Sequence, residues 1–216
     1  MTAAHVAMQR RSFLAAFAPA FALFCSRGLR AEILQGRNAT MHGQRDRAVW
    51  QAVNRLAGAR LAKPGEQIQA VFFIDLNCPA CARFWRWFDT PAHRQWATLW
   101  VPVAYMNAQS LGRAVAFLRA ADPYRALALN YENFSDEARQ GKLPEAANPS
   151  IQEQSRVRAN TRYWNGALFP LTPLSVYRNA DATYWQLLGL VPEEEMDQYF
   201  ARLGPARLQT YTDQRP

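Results

Sequence analysis

Cys78 and Cys81 stand three positions apart in Asn77-Cys78-Pro79-Ala80-Cys81. On a helix that spacing places the two sulfurs about one turn apart. If Cys78 lies at the helix start, free N–H groups and the helix dipole stabilise its thiolate, the species that attacks a disulfide. Cys81, one turn on and less exposed, then resolves the mixed disulfide and releases the partner. The pair reads as an attacking and a resolving thiol. Two other uses of the spacing are weaker. A purely structural bridge would close a very short loop and constrain the unfolded chain little. Zinc usually takes about four N or S ligands, and His42 and His93 are not at a spacing that supplies the missing two. His93, in Pro-Ala-His-Arg, reads instead as a solvated loop residue. No metal and no other cofactor is expected.

Positioning the two sulfurs requires a strand that ends just before them and a helix that begins with them. Ala70–Leu76 is almost continuously apolar, the pattern of a strand buried on both faces. Cys81, Phe84, Trp85 and Phe88 then repeat at helical spacing, with Pro79 suited to the first turn. Leu99–Tyr105 is the next strand candidate, and its Pro102 predicts an edge position or an irregularity. Leu111, Ala114, Val115 and Leu118 mark a helix; Tyr124–Phe134 and Ile151–Trp164 mark two more. Leu174–Arg178 and Thr183–Gly189 predict a β-hairpin with a four-residue connection. A last helix starts at Pro192 and stops at Gly204-Pro205. This order predicts an α/β fold of the thioredoxin-like kind with a central helical insertion at about 108–166. The catalytic domain then spans 67–204, followed by a tail at 205–216. Val49, Trp50, Val53 and Leu56 share one helical face, so 32–66 reads as a mobile start and a linker helix. Trp85, Trp87, Trp96, Trp100, Trp164 and Trp185 read mostly as packing residues.

The sequence has 216 residues, 50% of them hydrophobic, and a formal charge of +8. That composition excludes wholesale disorder. Residues 1–31 have the pattern of an export signal: Arg10-Arg11, the apolar run Ala15–Cys25, and a small residue, Ala31, near which cleavage is expected. Gln-Arg-Arg-Ser-Phe-Leu also fits a twin-arginine signal as well as the ordinary route. Loss of this segment removes four arginines, no acidic residue and Cys25, lowering the charge from +8 to +4. The remaining charges are scattered, with no basic stripe interleaved with exposed aromatics, so nucleic acid is excluded as a partner. An exported chain works where disulfides form and persist, and a periplasmic location is expected.

The pieces Phe-Ile-Asp-Leu-Asn-Cys-Pro-Ala-Cys-Ala-Arg-Phe-Trp at 73–85, Leu-Thr-Pro-Leu-Ser-Val-Tyr at 171–177 and Gly-Leu-Val-Pro at 189–192 resemble the periplasmic thioredoxin-fold disulfide isomerases and reductases of the DsbC/DsbG group, the DsbG branch most closely. The likeness covers roughly Val49 to Leu203. It implies that Pro173 is a cis-proline facing Cys78 and that the backbone of Thr172 pairs with substrate. It also makes Asp75 an acidic position able to influence the thiols, and Pro79-Ala80 the dipeptide that modulates thiolate stability. Residues 32–66 leave room for a linker helix but not for the group's N-terminal dimerisation domain, so a monomer is expected.

The function expected is a periplasmic thiol:disulfide oxidoreductase that reduces or isomerises protein disulfides, reset by a membrane redox partner. Two alternatives stay open: a monomeric DsbA-like oxidase, and a non-catalytic binding or scaffold protein with an inert cysteine pair.

Overall fold

Five consecutive apolar residues, Ala70–Ile74 (β3), are all buried, which requires cover on both faces and a neighbour on both edges. The computed structural model, which describes residues 37–41 and 44–203, supplies both. Its sheet has the order β1-β6-β5-β3-β4-β2. The flanking strands are β1 (Arg37–Met41), β2 (Ala59–Leu61), β4 (Thr98–Pro102), β5 (Leu174–Arg178) and β6 (Tyr184–Leu188). β3 pairs in parallel with β4, Phe72 opposite Trp100, and antiparallel with β5, Phe72 opposite Ser175. A parallel pair needs a crossover, and the helix α2 (Pro79–Phe88) lies on that connection.

Alternation along the strands divides the core. Ala70, Phe72 and Ile74 face a layer built with α2 and the last helix, α6 (Glu193–Phe200). Phe72 is its hub, meeting Phe84 and Trp100 edge-on with ring centroids 4.9 Å apart in each case, a geometry aromatic quadrupoles favour. Val71 and Phe73 face the other layer with Val53 of α1 (Gln44–Val53) and Trp164. Trp164 belongs to α5 (Ile151–Ala167), whose start is fixed by a capping box between Ser150 and Glu153. With α3 (Ser110–Arg119) and α4 (Pro123–Glu132), α5 fills the long connection between β4 and β5.

Several expectations change. The segment 32–66 carries α1, which ends at Val53 before Leu56, but it is not only a start and a linker. β1 and β2 occur there as the two edge strands of the sheet. Pro102 is not on an edge strand: β4 lies between β3 and β2, and Pro102 is its last residue, beyond the Thr98–Trp100 stretch that β2 covers. His93 is not a solvated loop residue. It stacks on Trp96 at 4.8 Å and packs tilted against Trp87 at 4.3 Å, and its Nδ1 donates to the Trp87 carbonyl at 2.8 Å. Its Nε2 lies 3.1 Å from Asp197. The expected signal at 1–31, Cys25, His42 and the 205–216 tail lie outside the described residues. No helix among the described residues is long and apolar enough to cross a membrane.

Candidate active site

β3 stops at Ile74 and the chain turns through Asp75-Leu76-Asn77 into α2. Cys78 is the N-cap of that helix and Pro79 its first residue. The proline has no N–H to satisfy, so the helix can begin directly after the cysteine. Cys78 is 4% exposed and Cys81 fully buried, and both are free thiols. Pro79 and Ala80 are partly exposed beside them. Across from α2 the Thr172–Pro173 bond is cis, and the Thr172 carbonyl lies 3.6 Å from Cys78 Sγ. Pro173 is anchored by its own carbonyl, which accepts the Gly189 N–H at 2.8 Å; Gly189 has φ 73°, where a side chain would be strained. The structure thus brings Cys78, Cys81, Thr172, Pro173 and Asp75 into one site.

The two thiols differ electrically. The Cys81 thiol donates to the Cys78 sulfur and pulls it from its ordinary 9.0 to about 7. Burial opposes this shift; Thr172 and the Cys81 N–H assist it, and the Asp75 charge works weakly against it. Cys81 moves the other way, pushed well above 9.0 by burial and by the negative charge on Cys78. One sulfur is therefore ionised near neutral pH while the other holds the proton it donates.

Asp75 is fully buried, with four donors on its carboxylate. Oδ1 accepts the Asn77 N–H at 2.8 Å and the Ser110 hydroxyl at 2.9 Å. Oδ2 accepts the N–H groups of Tyr105 and Met106 at 2.8 and 3.0 Å. Desolvation still wins and holds its pKa above 3.8. Its structural task is visible: one carboxylate ties the redox turn to the loop after β4 and to the start of α3.

Residues from the helical connection complete this scaffold, and sequence reasoning missed them. Tyr131 Oη donates to the Asp75 carbonyl at 3.0 Å, and Asn130 Nδ2 to the Leu76 carbonyl at 2.8 Å. Arg113, buried in α3, donates from Nη1 to Asn77 Oδ1 and from Nε to the Leu143 carbonyl. Gly141 approaches so closely that a Cβ there would run into the Leu76 carbonyl and Asn130. Tyr105 Oη and Thr172 Oγ1 are 2.7 Å apart, while the Trp164 ring packs tilted against Tyr105 with centroids 4.8 Å apart and its Nε1 donates to the Leu171 carbonyl at 3.1 Å. No sequence signal marked these roles, because the groups they serve on the redox turn and at Thr172 lie about 36 to 67 residues away. Among the described residues no group of three or more His, Cys, Asp or Glu is placed to hold a metal ion.

No protein-family model matches the sequence, and no curated protein matches it. Solved structures do. The catalytic domain of Proteus mirabilis ScsC superposes with a TM-score of 0.51 at 19% identity, over 71% of this chain and 94% of that one. ScsC in a compact conformation gives 0.53 at 20% identity, over 81% and 86%. A periplasmic thioredoxin-like protein from Salmonella enterica serovar Typhimurium gives 0.53 at 16% identity, over 73% and 95%. With the sheet order and crossover above, these likenesses give the chain a thioredoxin-like α/β fold.

Proposed function

We propose that this chain is an exported, periplasmic thiol:disulfide oxidoreductase that reduces or isomerises disulfides in client proteins through Cys78 and Cys81. The observation that carries the proposal is the asymmetry of the two thiols at a helix start opposite Thr172-Pro173: Cys78 near 7, Cys81 well above 9.0.

The chemistry follows from that asymmetry. The Cys78 thiolate attacks one sulfur of a client disulfide; the S–S bond breaks and a Cys78–client bond forms. Cys78 then carries no negative charge, so two of the causes that hold the Cys81 proton disappear together. Cys81 passes its proton to the departing client sulfur and attacks Cys78, closing the Cys78–Cys81 disulfide. The client gains two electrons and one proton from the pair, its other sulfur taking a proton from water, and a membrane reductant returns the two electrons to Cys78 and Cys81. In isomerisation, a second client thiol attacks the mixed disulfide instead, and Cys78 leaves as thiolate. The Thr172 carbonyl, beside the reacting sulfur, is placed to accept a client backbone N–H.

An oxidase would run these steps backwards. Lowering Cys78 from 9.0 to about 7 stabilises the reduced form at pH 7 by only about 0.4 kcal/mol, or about 10 mV in a two-electron couple. That is small against the ~150 mV separating strong oxidants from thioredoxin, so the resetting partner sets the direction. The test is trapping. Cys81→Ala should accumulate mixed disulfides with periplasmic clients and Cys78→Ala should not; absence of adducts in both would remove the proposal. Equilibration of the purified protein with glutathione then separates reductant from oxidant.

A further inference from the structure

We propose that a groove beside Thr172 binds an acidic segment of the client, seating a carboxylate-bearing side chain near the reacting cysteine. The inference rests on the thiol-exchange reading above and names the client chemistry that site would favour.

The groove has a volume of about 620 Å³, within the ~300–1,000 Å³ of ordinary binding clefts. Tyr105, Leu111, Trp164 and Pro170 give it an apolar base, and Arg158 and Arg162 supply its charge. The arginines are four residues apart on α5, so they share one face of the helix, and both are exposed. Neither has a carboxylate partner among the described residues. The one acidic residue of α5, Glu153, is held by Arg119, with Nε–Oε1 at 2.6 Å and Nη2–Oε2 at 2.7 Å. Asp75, whose carboxylate accepts the Tyr105 N–H, is buried and engaged by three further donors. Among the described residues no acidic one lines the groove, so Arg158 and Arg162 make it cationic.

Continuity with the redox site decides what occupies it. Tyr105 lines the groove and meets Thr172 Oγ1 at 2.7 Å, and the carbonyl of that same Thr172 lies 3.6 Å from Cys78 Sγ. An extended client strand running past Thr172 would carry a flanking side chain over Tyr105 toward the two guanidiniums. A planar guanidinium suits a carboxylate in particular. Apolar stems pack on Trp164 and Tyr105, so glutamate next to an apolar residue fits better than a bare anion.

The test uses the full-length mature protein and matched disulfide peptides whose cysteine is flanked at two and three residues by Glu, Gln or Lys. For wild type we expect kcat/KM for the Glu peptide to exceed that for the Lys peptide roughly 3- to 10-fold at low salt, within the range for two exposed ion pairs. The ratio should shrink as salt rises, because exposed charges are screened. In R158Q/R162Q it should fall to near one. A ratio that is the same in the variant, or no preference in wild type, overturns the inference. Hydroxyethyl disulfide, too small to reach the groove, reports the cysteine pair separately. If it is not turned over, the thiol-exchange reading fails; fluorescence anisotropy of the Glu peptide with Ser in place of Cys still reads the groove. There, equal binding of the Glu and Lys versions overturns the inference.

Discussion

Cys81→Ala removes the largest influence on the nucleophile. The Cys81 thiol is the main cause holding Cys78 near 7, and without it Cys78 rises toward its ordinary 9.0, burial driving it up while Thr172 and the backbone N–H of residue 81 still hold it down. Taking 9.0, the thiolate fraction at pH 7 falls from about one half to about 1%, a roughly 50-fold loss. The remaining thiolate is more basic and more nucleophilic: with a Brønsted slope of ~0.4–0.5, two units give a gain of roughly 8-fold. The variant should therefore attack a neutral aromatic disulfide about 6-fold more slowly at pH 7, yet roughly 8-fold faster near pH 10, so the two rate–pH curves cross. Stopped-flow absorbance of the released thione measures both arms. Cys81→Ser keeps a donor and should follow wild type more closely than alanine does. Parallel curves that never cross, or an alanine variant whose midpoint stays near 7, would refute the assignment of Cys81 as the group that ionises Cys78.

Asp75→Asn tests the buried carboxylate. Burial raises its pKa above 3.8, so its contribution to stability is complete below that value and is lost as pH rises through the folded pKa. The stability gap between wild type and variant should narrow from about pH 4 to neutral in urea melts, and the Cys78 midpoint should move below 7 as an opposing charge disappears. Gly141→Ala should cost about 1–3 kcal/mol by overpacking and shift the Cys78 titration, because the new methyl meets the Leu76 carbonyl; denaturant melts and thiolate absorbance check the two effects. His93→Phe keeps the ring packing against Trp87 and Trp96 but loses the contacts to the Trp87 carbonyl and Asp197. It should cost about 0.5–1.5 kcal/mol, read as a lower Tm with disulfide exchange kinetics preserved.

What the sequence disclosed follows the range of the forces involved. The β3–α2 junction is local: five apolar residues, a cysteine, a proline and a helical stripe lie within twenty positions, so the pattern carries the geometry. The β5–β6 hairpin is local in the same sense. β1, Arg-Asn-Ala-Thr-Met, is the opposite case. It has no apolar alternation and is defined by backbone pairing to β6, Ala39 opposite Gln186, so its partner lies almost 150 residues away. β2 is three residues long, too short for any periodicity. His93 follows Pro91-Ala92 in a segment with no helical or strand pattern, which reads as an exposed loop; the aromatic rings that cover it come from Trp87 of α2 and from Trp96.

The same distinction explains why the two sulfurs were legible and their support was not. A thiol pair announces itself by type and spacing. A buried turn does not announce the donors it needs. Once Ile74 is fixed as the end of a central strand, the Leu76 carbonyl lies under the helical connection with no strand to pair it, and an unpaired buried carbonyl costs about 1–3 kcal/mol. Asn130 of α4 meets that need, Tyr131 adds a second donor to the Asp75 carbonyl, which also accepts the Cys78 N–H at 3.0 Å, and Arg113 of α3 holds Asn77. The helical connection is therefore tied to the redox turn by hydrogen bonds as well as by packing. Substitutions at Asn130 or Tyr131, far from the cysteines in sequence, should reach Cys78 through the backbone of residues 75–77 before they unfold the domain.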